Sequence, residues 1–183
     1  GEEGRINLRP LLSFDYLSTN YRFNSFSTFF SLPLQYKWKK TILLKYDPSV
    51  NWANLSSFAK TPSNTVLIKI PIGADLTYKK WLLDLCAYPA FFDKSFNITP
   101  NVYFNYYAKK DELTFSGGFK SMYEINSPLK LLLFNPFVRP VLNASVYQQH
   151  KLFTGIEMYN KSGFSIEGEV AYVFHKNLPL FIN

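Results

Sequence analysis

Residues 35–52 read QYKWKKTILLKYDPSVNW. Ahead of Lys39 and Lys40, the positions Leu32, Leu34, Tyr36 and Trp38 are apolar or aromatic, and Ser31, Gln35 and Lys37 between them are polar. Beyond the lysines, Ile42, Leu44, Tyr46, Val50 and Trp52 alternate with Thr41, Lys45, Asp47, Ser49 and Asn51. A period of two marks a strand with one apolar face. The stretch therefore predicts two strands joined by a two-residue turn. Which face meets water decides everything else.

The pattern runs through the chain. It sets Ile6, Leu8, Leu12, Phe14 and Tyr16 against Arg5, Asn7, Arg9, Ser13 and Asp15. It sets Val66, Ile68, Ile70 and Ile72 against Thr65, Lys69 and Gly73, and Leu113, Phe115, Phe119 and Tyr123 against Thr114, Ser116, Lys120 and Glu124. The stretch LFNPFVRPVLNASVY reads as a further strand, and Phe164, Ile166, Val170, Tyr172 and Phe174 close the series. Period-two matching predicts roughly ten strands of about 8 to 15 residues, with no competing helical period. No internal boundary divides residues 1–183, so a single domain is expected. Tight connections are expected at Lys39-Lys40, Lys79-Lys80, 109–112 and Gln148-Gln149-His150. Longer, Ser- and Asn-rich loops are expected around 17–24, 53–64, 92–98, 125–131 and 160–163.

Composition bounds the class. Hydrophobic residues make up 47% of the 183 and aromatics 19%, which excludes disorder. The net charge of +7 suits an anionic surface such as phosphate head groups. The one cysteine, Cys86, excludes an intramolecular disulfide and a cysteine metal cluster. The apolar runs are too short for a membrane helix. The start at Gly1 carries no signal-peptide pattern, as expected of a processed or trimmed product.

Strands of this length exceed the usual five or six residues and match the 9 to 11 of a tilted strand crossing a bilayer. The apolar face sums to roughly 60 side chains, more than the interior of a barrel of this size holds, whereas the smaller polar residues fit inside. Lipid is then the medium outside. Tyr16, Trp38, Trp52, Tyr78, Trp81 and Tyr106 stand at or near strand ends on the apolar face, where amphipathic rings suit a head-group belt.

In these features the chain resembles the small bacterial outer-membrane β-barrels. The resemblance is architectural and covers residues 5 to 175. It implies an all-β fold, an up-and-down antiparallel transmembrane β-barrel of about ten strands, within a range of 8–12. It also implies a location in the bacterial outer membrane with both termini periplasmic, and membrane lipids and other outer-membrane proteins as partners. Two departures stand out. The C-terminal LPLFIN does not end on an aromatic residue. Prolines 10, 33, 48, 71, 89, 100, 136 and 140 fall within strands, where each removes a ladder donor, and they are expected at bulges or strand ends.

The polar face carries balanced charge. Arg5, Arg9, Lys37, Lys45, Lys69, Lys109, Lys120 and Arg139 stand against Asp15, Asp47, Asp75, Asp84, Glu124, Glu157, Glu167 and Glu169. Balance predicts ion pairs filling a narrow lumen rather than an ion-selective pore. Hairpin arithmetic brings Asp47 near Lys69 and sets Glu167 and Glu169 beside the first strand, within reach of Arg9. It also sets Asp75 opposite Asp84, a pair that needs a cation, a shared proton, or a neutralising Lys69 or Lys109.

No catalytic constellation is expected. His150 is expected in a turn and His175 near a strand end, and GxGxxG, GKS/T, HExxH and GxSxG are absent. Cys86 reads as an inward packing residue, and no cofactor, metal or nucleic acid is implied. The expected role is a structural or surface barrel, or a subunit of an outer-membrane complex. The alternatives are a narrow conduit for a small or hydrophobic solute, a soluble lipocalin-like lipid-binding barrel with the apolar face inward, and an outer-membrane enzyme.

Overall fold

The computed structural model describes residues 4–19, 23–57, 60–92, 94–109, 112–125, 146–159 and 164–176. Its regular elements are thirteen antiparallel strands in one sheet, with no helix among the described residues. Four pairs of strands are collinear: β1 (Ile6–Leu8) with β2 (Leu11–Thr19), β3 (Phe23–Ser31) with β4 (Leu34–Lys39), β5 (Ile42–Tyr46) with β6 (Ser49–Ser57), and β7 (Lys60–Lys69) with β8 (Ile72–Tyr78). The rest are β9 (Trp81–Phe92), β10 (Ser95–Lys109), β11 (Leu113–Ile125), β12 (Val146–Tyr159) and β13 (Ser165–Lys176). Merging the four pairs turns thirteen strands into nine runs that meander in chain order.

The breaks within the pairs are prolines, and they are not bulges. Leu8 faces Leu34 and Leu11 faces Ser31, three residues further along on both strands. The same spacing holds from Leu34–Tyr46 to Ser31–Ser49, from Tyr46–Ile72 to Ser49–Lys69, and from Ile72–Ala87 to Lys69–Ala90. No residue is inserted, so the side-chain alternation passes through each proline unchanged. At each crossing the residue facing a proline donates to its carbonyl. These bonds are Arg9 N to Pro33 O at 3.2 Å, Leu32 N to Pro48 O at 2.9 Å, Asp47 N to Pro71 O at 3.0 Å and Ile70 N to Pro89 O at 2.9 Å. The reverse bond is impossible because proline has no N–H. Pro89 and Pro100 lie inside β9 and β10, and Pro136 and Pro140 lie outside the described residues.

The expected barrel is corrected in two respects: the sheet is not closed, and its strand count is not ten. The β1–β2 run forms one edge and β13 the other. Eight antiparallel steps separate them, so they run the same way and cannot pair antiparallel with each other. Several expected loops are strand instead, since β2, β6, β7, β9 and β10 extend into them and leave connections only at 20–22, 58–59 and 93–94. The expected turn at Gln148-Gln149-His150 lies inside β12, which pairs with β11 along its whole length. The strand expected before Val146 lies outside the described residues.

One face of the sheet stays apolar and exposed across every run. It carries Leu12, Phe14, Phe30, Val50, Trp52, Val66, Ile72, Leu85, Phe91, Ile98, Phe104, Phe115, Leu152, Ile156, Val170 and Tyr172. The other face is concave and buries Ser25, Ser31, Ser49, Ala53, Leu55, Thr65, Leu67, Ala90 and Phe92. The concavity is completed by β11. Its ladder with β10 ends at Val102–Phe119. Beyond that point the Asn101 side chain stands in for the backbone, accepting from Ser121 N at 2.6 Å and donating to Ser121 O at 3.3 Å. Pro100 has no N–H to give Ser121. Freed from β10, the end of β11 rolls over the trough until it touches β7. Tyr123, Ile125 and Val146 bury there against Leu55, Leu67, Ala90 and Phe92, with Leu17 of β2 and Tyr88 packed beside them. Tyr123 thus leaves the exposed face it shares by alternation with Phe115.

The roll begins at Gly117-Gly118, where β10 and β11 approach too closely for a side chain. A Cβ on Gly118 would lie 2.1 Å from the Val102 carbonyl oxygen, and one on Gly117 2.8 Å from the Phe104 ring. A ring can rotate, but a ladder carbonyl cannot. Gly118→Ala is therefore expected to destabilise by about 1 to 3 kcal/mol, the usual range for overpacking. Gly168→Ala, whose Cβ would meet only Ile156 at 3.8 Å, is expected to cost less. Denaturant titration of both variants checks the order.

Candidate functional site

The polar side chains of the concave face gather where the prolines cross the sheet. Asp75 of β8 faces Asp84 of β9 in the register. Two carboxylates so placed repel each other. Lys45, on β5, lies diagonally across from Asp75 because it faces Gly73. Its ammonium reaches both acids, at 2.5 Å from Asp75 Oδ1 and 2.8 Å from Asp84 Oδ2. Lys109 pairs with Glu112 beside its own turn, and Lys69 sits 5.9 Å over the Phe29 ring. All three charged groups are about a quarter to a third exposed, so the arrangement is a half-shielded ion triad.

Next to this triad lies a cavity of about 310 Å³. Its charged walls are Lys45, Asp47, Lys69, Asp84 and Lys120, and its aromatic walls are Phe29, Tyr88 and Tyr103. Cys86 also lines it. Lys120 stands over two rings, 4.8 Å from Tyr103 and 5.3 Å from Phe153. One end of the cavity meets the Lys45 pairs. The other meets the apolar cluster through Tyr88, whose ring stacks on Tyr123 at 5.8 Å.

The remaining charged residues spread towards the edges. Arg5, Arg9 and Lys37 line a shallow cationic groove along β1 and β4. Asp15 accepts a hydrogen bond from Ser27 Oγ at 3.4 Å. Glu157 faces Glu167 across β12 and β13, and Glu169 takes Lys151 at 2.5 Å. With the sheet open, no contact joins Glu167 or Glu169 to Arg9. Glu124 faces Tyr147, and Arg139 lies outside the described residues.

Of the ring residues singled out in the sequence, Trp38, Tyr78, Trp81 and Tyr106 cluster at the end of the sheet where 40–41 and 79–80 turn. Trp81 and Tyr106 are in contact there, with centroids 4.5 Å apart. Tyr16 and Trp52 lie beyond the proline crossings. Trp52 is about ten positions up the run from Ile42, about 33 Å at about 3.3 Å per residue.

The fold also makes a Ser–His pair that sequence reading missed. Ser121 Oγ and His150 Nδ1 are 2.9 Å apart on facing strands. Only the register of β11 against β12 could have revealed it, and the expectation of a turn at 148–150 hid that register. The serine is buried, the imidazole is stacked on Phe119 and met edge-on by Tyr123, and neither residue lines the cavity. The bond satisfies a buried hydroxyl at the point where β11 rolls. Among the described residues no group of His, Cys, Asp and Glu is placed to hold a metal ion.

No protein-family model matches the chain, and neither a curated protein nor a solved structure matches it.

The ion triad yields a test. Lys45→Met should leave Asp75 and Asp84 facing each other unneutralised and lower stability by about 1 to 3 kcal/mol, less than for a fully buried pair because water reaches all three groups. Adding Asp84→Asn should recover part of that loss, and a double-mutant cycle in a denaturant titration measures the coupling.

Proposed function

We propose that this chain is an integral protein of the bacterial outer membrane, a curled β-sheet that faces lipid with its apolar side and encloses a narrow, charge-paired interior. The observation that carries the reading is the exposed apolar face. Among the described residues it reaches from Ile6 to Phe174, with Val170 75% and Tyr16 66% exposed. A soluble monomer rarely shows an apolar patch beyond a few hundred Å². A soluble lipid-binding barrel would turn such a face inward, whereas here that face is exposed and the concave side holds buried serines, Thr65 and ion pairs beside its apolar cluster.

The interior supports a structural or surface protein, or a subunit of an outer-membrane complex, over an open pore. The apolar cluster around Tyr123 stands at one end of the cavity and the Lys45 pairs at the other. In the membrane, closure into a barrel of about ten strands would remove both edges, which lipid cannot solvate. Both termini would then lie on the periplasmic side. In the nine described runs, the start of β1 and the end of β13 lie at opposite ends of the sheet, and one more run would bring them together.

Detergent dependence tests the reading. The folded chain should require detergent or lipid, and recovery of a folded monomer from plain buffer would overturn the proposal. Val50→Arg, in mid-sheet on the apolar face, should cost about 2 to 4 kcal/mol in bilayers, as for an arginine at the bilayer midplane. Planar-bilayer recordings should show no steady conductance of porin size.

A further inference from the structure

The cavity beside the ion triad exists because the floor of the trough is built from small side chains. Ser31, Ser49, Pro71 and Cys86 line it, and Gly73 stands between Lys45 and Cys86 in the register. The long side chains around that floor, Lys45, Lys69, Tyr88, Tyr103 and Lys120, come from five different strands. At about 310 Å³ the space lies at the lower end of the range of about 300 to 1,000 Å³ for small-molecule sites. It has room for a single-ring molecule but not for a lipid.

Charge is distributed unevenly across this space. On the β8–β9 side one lysine, Lys45, serves two acids, Asp75 and Asp84, which leaves a net negative charge. On the β11–β12 side the balance is reversed. Lys120 faces Lys151 in the register, and like charges directly opposite each other repel. Glu169 takes Lys151. Among the described residues no carboxylate lies within ion-pair reach of Lys120. Its ammonium instead sits over Tyr103 at 4.8 Å and over Phe153, a ring it shares with Lys151 at 5.1 Å. A ring face attracts a cation but gives its N–H donors no oxygen acceptor. An anion placed there neutralises the surplus charge and accepts from those donors. Lys120 is exposed to the trough, so a ligand can reach it.

The rest of the lining determines what else the anion carries. Phe29, Tyr88 and Tyr103 present three rings to the same space, which favours a flat apolar body. Asp47, between β5 and β6, repels a carboxylate and so directs it towards β11. We propose that the cavity binds a single-ring aromatic carboxylate, with its carboxylate on Lys120 and its ring beside Tyr103 and Tyr88. The proposal does not depend on the membrane reading, because every residue it uses lies on the concave face.

The test uses the whole chain folded in detergent micelles and para-fluorobenzoate as probe, followed by fluorine NMR against empty micelles. The probe should bind with a Kd of about 1 mM or tighter. It should also slow alkylation of Cys86, the single cysteine of the chain and part of the lining. Lys120→Met, which keeps an apolar stem over the rings, should weaken binding about tenfold or more, and Lys120→Arg should retain it. Asp47→Asn should tighten it by about twofold. The matching fluorobenzyl alcohol and fluorobenzylamine should bind about tenfold more weakly than the acid. Equal binding of the alcohol would mean a merely apolar pocket, and tighter binding of the amine a cation site. Displacement by an equal concentration of inorganic phosphate would mean a site for any anion. Each of these overturns the proposal. So does binding no stronger than to empty micelles, full affinity in Lys120→Met, or binding that leaves Cys86 alkylation unchanged. A chain that folds in plain buffer, the outcome that defeats the membrane reading, can be titrated in that buffer with the same readouts.

Discussion

The constraint on which this protein depends is the register of its backbone ladder. Side chains alternate with a period of two, so a slip of one residue would move every apolar side chain of a strand to the other face. Four prolines cross the first four runs and a fifth crosses β9, and each removes one donor. A bulge at any of them would have inverted the faces beyond it. Instead each proline carbonyl keeps its bond from the facing residue, and the count of residues on both strands stays equal. The apolar face continues past the prolines because no residue is inserted at them; the register shifts at Lys37/Lys39, Leu55/Ser57 and Tyr107/Lys109 lie near strand ends instead.

The interior follows from where the ladder is allowed to end. Between β10 and β11, two glycines permit a close approach and the Asn101 amide replaces the backbone partner of Ser121. The end of β11 is then free to roll across the trough, and its aromatic and aliphatic side chains build the apolar cluster. Below the cluster the interior is polar, and charges there stand against opposite charges. Lys45 between Asp75 and Asp84 is the clearest case: two facing acids on one hairpin are held by a lysine from the neighbouring run. The cavity survives between these two zones because neither hydrophobic packing nor ion pairing fills it.

The same geometry poses the functional problem. A sheet with one broad apolar face and two edges unpaired among the described residues is unfavourable in water on account of the face and in hydrocarbon on account of the edges. The proposed membrane setting would resolve the first conflict, and closure of the sheet there the second. Both depend on main-chain and apolar contacts rather than on a catalytic constellation, and the buried Ser121–His150 pair fits a structural role.

The period of two made strands, faces and tight turns visible without any structure, because local alternation and adjacent lysines report directly on the pleat. The Asp75–Asp84 pairing was legible for the same reason: the hairpin is local, and the turn at Lys79-Lys80 determines which residues face each other. Lys45 as their partner was not legible, since it depends on the register between β5 and β8, whose connection 53–64 reads as a loop and is mostly strand. The expected turn at 148–150 failed because two glutamines and a histidine resemble a turn in sequence, yet they lie in β12 where β11 and β12 pass from the exposed side into the core. The sequence by itself determined which residues alternate and the reversal at Lys79-Lys80. Only the tertiary structure decided that β11 leaves β10, that the sheet stays open, and which distant charges meet, because these depend on contacts between strands far apart in the chain that no local pattern encodes.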